Sequence, residues 1–366
     1  MPFTVTTFHR LLEEMVSHEA SDLHLSSNEA PFFRVSGKLL RSAEQFSTAA
    51  ELEEVARGIM NPQQCTAFEQ QKSVDLAMSS ADGERFRVNI YRDRGNVSFA
   101  IRRLDNEFQS LEELNLPTQI ANFVQMRDGL ILITGPTGSG KTTTLASLID
   151  QVNKEQTKHI ITIEDPIEYV HRNQNSLVHQ RELYTDVPSF ADAVRASLRE
   201  DPDVLLVGEM RDAETIRAAV TAAETGHLVF STLHTGDCVG AIDRMIGVFD
   251  ADEQLALRQQ LSMVLRGVVA QHLIRDDRTG GRVPLAEILF VNPAVANLIR
   301  TAKSAQIYSI MELGAHEGMQ TVEFALADLV AGGVLSEMDA MHLARDQRAL
   351  KTRLDRLRGF GSPVNN

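Results

Sequence analysis

Cysteine is nearly absent: Cys65 and Cys238 are the only two among 366 residues, and they stand far apart in the chain. That excludes a disulfide framework and a zinc knot built from four thiolates, so both read as reduced thiols. Long apolar runs are missing as well. None reaches the roughly 20 residues that a membrane-crossing helix needs, and MPFTVTTFHRLLEEMVSHEA carries acids at helical spacing where a signal peptide carries an unbroken apolar core. The expectation is a cytoplasmic protein without direct membrane insertion. Net positive charge is lacking too. At a formal charge of -14, a general electrostatic grip on nucleic acid or acidic lipid is disfavoured, and no nucleic-acid partner is expected. No internal repeat or low-complexity segment occurs, and only the closing GFGSPVNN reads as a frayed tail.

What is present divides in two, as the length suggests. Up to Leu104, short helical and strand patterns alternate: LLEEMV, DLHL, FFRV, KLL, an acidic helix from about Glu51, then ERFRVNIYRDR and NVSFAIRRL. This predicts a small α+β domain over residues 1–104. A polar stretch ending in Pro117 follows, giving a linker over 105–118. From 119 to 366 the pattern becomes α/β. GLILITG, HIITIED, DVLLVGE and HLVFSTLH are continuous aliphatic runs, as expected of strands buried on both faces of a parallel sheet, with helices such as FADAVRASLRE and DAETIRAAVTAAE between them. Beyond Asp252 the chain reads as mostly helical, interrupted by a turn and one more strand in RTGGRVPLAEILFVN.

The sharpest chemical signal is Gly135-Pro136-Thr137-Gly138-Ser139-Gly140-Lys141-Thr142, a complete Walker A pattern that follows a strand and opens a helix. A triphosphate needs backbone N–H groups that no side chain blocks, together with the positive end of a helix. Lys141 would reach the β- and γ-phosphates, and Thr142 would offer its hydroxyl to Mg²⁺. The chain is therefore expected to use ATP and Mg²⁺. Asp203-Val204-Leu205-Leu206-Val207-Gly208-Glu209 is an apolar strand ending in an acid, which makes Glu209 the candidate catalytic base; the plainer alternative is a capping carboxylate for the helix near Asp212. A second strand ends in Glu164-Asp165-Pro166-Ile167-Glu168, where Glu164 could order the metal's water shell and the other acids could equally be turn chemistry.

His227 and His234 bracket HLVFSTLH. Their odd separation turns them to opposite faces of a regular strand, so joint chelation of one metal is disfavoured, whereas sensing of a γ-phosphate by hydrogen bonding and a structural role both stay open. Arg85, Arg87, Arg92, Arg94, Arg102 and Arg103 crowd two neighbouring strands. Most such arginines are solvated surface charge, yet one delivered to a transferring phosphoryl group can raise the rate by roughly 10³ to 10⁵.

Taken together, ASDLHLS, ERFRVN, GPTGSGKT, ITIEDPIEYVH, REDPDVLLVGEMRDAETIRAAVTAAETGHLVFSTLHT and EGMQT resemble the PilT-type retraction ATPases of the bacterial type IV pilus, within the secretion-ATPase superfamily, over nearly the whole chain. The resemblance implies a RecA-like P-loop ATPase domain joined to a PAS-like N-terminal domain. It also implies a homo-hexameric ring at the cytoplasmic face of the inner membrane, a platform protein there as partner, and ATP turnover that disassembles pili. By the same resemblance Glu209 is the Walker B glutamate, Glu164 the acid of the Asp box, and His227 and His234 the His box. Arg87 and Arg102 would be the arginines that swing to the phosphates, with Arg85 and Arg103 left as surface charge. Two departures stand out. Ala296 in Ala294-Val295-Ala296-Asn297-Leu298-Ile299 replaces an arginine of the family's retraction motif, and Gly236-Asp237-Cys238-Val239-Gly240 differs from the small and hydroxyl residues usual after the His box. Rival readings are an accessory paralogue that assists another retraction ATPase, a scaffold that binds ATP without hydrolysing it, and a motor on DNA.

Overall fold

The computed structural model describes residues 3–42, 47–80, 82–104 and 107–360. The frayed tail expected for GFGSPVNN lies, from residue 361 onward, outside the described residues, as do linker positions 105 and 106. Two compact units are formed: Met1–Glu107 with Ile163–Arg172 and His179–Ala193, and Phe108–Thr162 with Asn173–Val178 and Val194–Asn366. Among the described residues no helix is long and apolar enough to cross a membrane.

The first unit holds strands β1 (Asp22–Leu25), β2 (Phe32–Val35), β3 (Lys38–Arg41), β4 (Ser73–Ser79), β5 (Arg85–Asp93) and β6 (Asn96–Leu104), with helices α1 (Val5–Ser17), α2 (Ala49–Ile59) and α3 (Pro62–Gln71). The strands make one sheet in the order β3-β2-β1-β6-β5-β4, every pair antiparallel. Alternation explains it: Phe86, Val88 and Ile90 of β5 are buried while Arg87 and Asn89 between them are only half-buried. On α1, Phe8, Leu11, Leu12 and Met15 follow a helical period and join that core. Thr48 with Glu51, and Asn61 with Gln64, build capping boxes that start α2 and α3, each cap contributing about 1 kcal/mol.

In the second sheet the order is β13-β12-β7-β11-β10-β8-β9, from β7 (Gly129–Thr134), β8 (His159–Glu164), β9 (Leu177–Glu182), β10 (Val204–Val207), β11 (Leu228–Leu233), β12 (Leu265–Arg275) and β13 (Arg282–Phe290). Strands β12, β7, β11 and β10 run parallel, and β7, β10 and β11 are buried along their whole length, which is why they read as unbroken apolar runs. Helices α4 (Lys141–Glu155), α5 (Phe190–Ser197), α6 (Ala213–Glu224), α7 (Cys238–Gly247) and α8 (Gln254–Val264) connect them.

One sequence expectation fails here. The segment from Leu265 to Arg275, read as part of a helical stretch, is an eleven-residue strand paired to both β7 and β13. Its valines and leucines fit either period, and pairing with a buried central strand overrides the helical reading. Gly267 marks the close approach: a Cβ there would stand 2.1 Å from the Phe123 ring, which stacks on Phe290 at 4.5 Å.

After β13 come α9 (Pro293–Arg300), α10 (Ile307–Leu313), α11 (Val322–Ala331), α12 (Glu337–Leu343) and α13 (Gln347–Phe360). Leu285 of β13, Leu326 of α11, and Leu350 and Leu354 of α13 form a separate core. EGMQT serves this junction, because Gln320 exchanges two backbone hydrogen bonds with Ile288 of β13, at 2.8 and 2.9 Å.

Candidate active site

Between β7 and α4 the P-loop wraps from Gly135 to Thr142. Gly135 has a φ of 148°, and a Cβ there would fall 2.1 Å from the carbonyl of Gln271, so only glycine fits. Lys141 is buried, and its Nζ donates to the carbonyls of Gly135 at 2.9 Å and Pro136 at 3.0 Å. Burial pulls the lysine pKa down, with the Glu209 carboxylate opposing that shift. Ser139 Oγ is buried with no hydrogen-bond partner, and Thr142 is exposed at the first turn of α4. A curled loop with an orphaned hydroxyl, an ammonium held by loop carbonyls and a helix mouth fits a phosphate chain and its magnesium.

Gln271 of β12 had no signal in the sequence. Buried to 3% exposure, it donates from Nε2 to the Ser139 carbonyl at 2.8 Å and accepts from Thr144 Oγ1 at 2.7 Å. It thereby fixes the P-loop from the neighbouring strand.

Strands β7, β11 and β10 are consecutive neighbours, and their carboxyl ends lead into the P-loop, His234 and Glu209. Glu209 Oε2 stands 3.5 Å from His234 Nε2, and Oε1 pairs with Arg211 Nε at 2.8 Å. The plainer role for Glu209 is filled by another residue: Asp212 caps α6 itself, accepting from the Thr215 N–H at 2.8 Å. His227 is not brought to this end. It precedes β11, whose first residue pairs with Gly129 and Val204 at the amino ends of their strands, roughly 20 Å from His234 at strand rise. There its Nδ1 meets the Ala222 carbonyl at 2.9 Å, finishing α6.

Other candidates belong to the first unit. Glu164 is buried and accepts from Gln180 Nε2 at 3.1 Å. Arg87 pairs with Asp75 at 3.2 Å and Glu168 at 2.9 Å. Arg102, directly opposite Arg87 in the β5–β6 register, is largely exposed and pairs with Asp22 at 2.9 Å. Separate carboxylates thus relieve the cross-strand repulsion. Burial works to raise the Asp22 pKa, but hydrogen bonds from Ser21 and Arg102 outweigh it and hold the carboxyl below its usual range. The expectation of surface charge suits Arg103, paired at 2.9 Å with Glu84. It does not suit Arg85, whose guanidinium donates to the Ile167 carbonyl, carries a buried Nε, and faces Glu182 and Glu164. The odd-even pattern could place Arg85 on a face, but not find its partners.

A cleft of about 380 Å³ opens beside the P-loop, lined by Asn115, Gly140, Thr143, Leu273, Arg282 and Pro284 among others. Its size and mixed apolar and polar lining suit a nucleoside. Ala296 lies half-buried on α9, anchored by Val295 and Ile299 and capped by Asn292; the helix is intact without the arginine of the family pattern.

The chain matches the family described as Type II/IV secretion system protein over residues 2–341. It is similar to the type IV pilus retraction ATPase PilT of Pseudomonas aeruginosa, at 43% identity over 335 residues, 92% of this chain and 97% of that one. A twitching motility protein of Neisseria gonorrhoeae is 43% identical over 320 residues, covering 87% of this chain and 86% of the relative. Among solved structures, the pilus retraction motor PilT with bound ADP matches with a TM-score of 0.84 at 40% identity, over 94% of this chain and 98% of its own.

Proposed function

Because the chain belongs to the Type II/IV secretion system protein family, we propose that it is an ATP-hydrolysing motor that powers type IV pilus retraction, with twitching motility as the outcome. One observation carries the reading: three adjoining strands end in a P-loop, a histidine and a glutamate, with Glu209 within 3.5 Å of His234. A scaffold that merely held nucleotide would not need that acid.

The roles follow from the side chains. Gly135, Gly138 and Gly140 leave backbone N–H groups open, Pro136 and Thr137 shape the turn, and Ser139 and Lys141 take phosphate oxygens. Thr142 holds Mg²⁺, which when bound offsets phosphate charge. Glu209 accepts the proton of the attacking water. His234, beside it, fixes the orientation of that carboxylate. Glu164 orders the water around the metal. Arg87 and Arg102 answer the charge that develops on the phosphoryl group, and phosphate must then displace Asp75 and Glu168 from the first and Asp22 from the second. His227, which finishes α6, supports the strand. Leu273 and Arg282 contact the base and sugar from the cleft. Six copies form a ring in the cytoplasm, docked on a platform protein of the inner membrane.

A strain deleted for this chain tests the reading. It should lose twitching, regain it with the wild-type chain, and not regain it with Glu209→Gln. A deleted strain that twitches normally contradicts the proposal and favours an accessory role.

A further inference from the structure

The segment after His234 is tied at every residue. Thr235 donates its N–H to Thr134 Oγ1 at 3.0 Å and accepts that hydroxyl at its own carbonyl at 2.7 Å, so it is fixed to the residue just before the P-loop. His272 Nε2 donates to the Gly236 carbonyl at 2.8 Å. Asp237 Oδ1 caps α7, accepting from the Gly240 N–H at 2.6 Å, and accepts the Tyr308 hydroxyl at 2.8 Å. The Cys238 N–H donates to Glu287 Oε1 at 2.8 Å.

These last two contacts belong to one closed ring. Arg345 donates from Nη2 to Glu287 Oε2 at 3.1 Å, and its guanidinium carbon lies 3.7 Å from the centre of the Tyr308 ring. So Asp237, Tyr308, Arg345, Glu287 and the Cys238 amide close on each other through side chains from α10, β13 and the α12–α13 junction. Glu287 is 4% exposed and Cys238 is wholly buried. Burial raises both the Tyr308 hydroxyl and the Glu287 carboxyl above their ordinary values, which keeps Tyr308 a hydrogen-bond donor. A buried acid whose hydrogen bonds reach a backbone N–H on one side and a guanidinium on the other has few alternative arrangements.

We propose that Tyr308 and Arg345 are positioning residues for ATP hydrolysis: through Asp237 and Glu287 they clamp Thr235–Cys238 and so hold His234 against Glu209, coupling the nucleotide site to the C-terminal helices. The inference rests on the ATPase reading above. No atom of Tyr308 or Arg345 needs to touch nucleotide. A change of position at His234, when nucleotide changes, is passed through a strap without slack to α10 and α13, and the reverse holds equally.

The test uses the full chain and compares wild type, Tyr308→Phe, Arg345→Ala, Arg345→Lys and the Tyr308→Phe/Arg345→Ala pair. Phosphate release, the affinity for a fluorescent ATP analogue and particle mass by light scattering are measured on each. Tyr308→Phe keeps the ring under Arg345 and loses only the hydroxyl, so kcat should fall about five- to tenfold with KM and mass unchanged. Arg345→Ala should lose about tenfold or more, the double variant no more than Arg345→Ala alone, and Arg345→Lys should recover part of the rate. Unchanged kcat in Tyr308→Phe, or losses in the two single variants that simply multiply, would overturn the proposal.

A second readout does not need turnover. In a Glu209→Gln background, hydrogen exchange across 308–313 and 345–358 should differ between ATP and ADP, and that difference should vanish on adding Tyr308→Phe. Persistence of the difference would overturn the coupling even if rates had fallen. Should wild type bind nucleotide but release no phosphate, the ATPase reading fails, and the exchange experiment still decides whether the clamp couples the two regions.

Discussion

Replacing Gln271 by leucine should damage the P-loop without touching any residue of the Walker pattern. The substitution keeps the approximate volume and removes two hydrogen bonds, 2.8 Å to the Ser139 carbonyl and 2.7 Å from Thr144 Oγ1. Thr144 has a second acceptor in the Gly140 carbonyl at 3.1 Å, so its hydroxyl stays satisfied. The Ser139 carbonyl would lose its side-chain donor. Two lost bonds at about 1 kcal/mol each, with roughly 1 kcal/mol more for the poorly satisfied carbonyl, give about 3 kcal/mol. If that falls on the nucleotide-ready form of the loop, affinity drops by about 100-fold. The assay is titration with a fluorescent ATP analogue alongside thermal melting. Expected is a large rise in Kd and a melting temperature lower by a few degrees. An unchanged Kd with a lowered melting temperature would refute the reasoning, because Gln271 would then support the sheet and not the loop.

Three further outcomes follow from the electrostatics. Arg85→Ala leaves Glu182 and Glu164 without the positive charge that faces them, and should cost roughly 1–2 kcal/mol in denaturant melts after allowance for partial exposure. Arg103→Ala, which breaks only the surface pair with Glu84, should cost less than about 1 kcal/mol. At Glu287, burial raises the carboxyl pKa although Cys238 and Arg345 pull it down. The folded protein therefore holds that proton more tightly than the unfolded chain. Stability from this group is full below the ordinary carboxyl range and declines as pH rises through the raised folded value. Glu287→Gln should flatten that decline in melting curves taken from pH 4 to 7, and an unaltered slope would count against it.

How much of this was legible depended on how local each signal was. Strands β7, β8, β10 and β11 declare themselves because burial on both faces demands apolar runs, and the P-loop because phosphate chemistry fixes residues close together in sequence. Glu209 was readable as a strand-end acid. The alternative, a capping role for Glu209, is dismissed only by the structure, in which Asp212 caps α6. Strand β12 was misread because Val268, Val269 and Leu273 satisfy a helical period as well as a strand's, and only the neighbour β7 decides. Gln271 was lost with it. His227 shows another limit: parity along a strand tells faces, not which end of a sheet lies at the chemistry. The partners of Arg85, and the ring through Tyr308 and Arg345, join residues that no spacing relates. Such contacts arise from topology, where a β-hairpin and the helices after it return to a loop that follows a central strand.

The central claim, that three strand ends make a hydrolytic site with Glu209 as its base, is tested most directly by steady-state phosphate release with Mg-ATP from wild type and Glu209→Gln, each sized by light scattering. Turnover in the wild type that falls at least about 100-fold in the variant, with a ring of equal mass in both, is the predicted result. Wild-type rings that release no phosphate, or a variant that turns over as fast as the wild type, would contradict it.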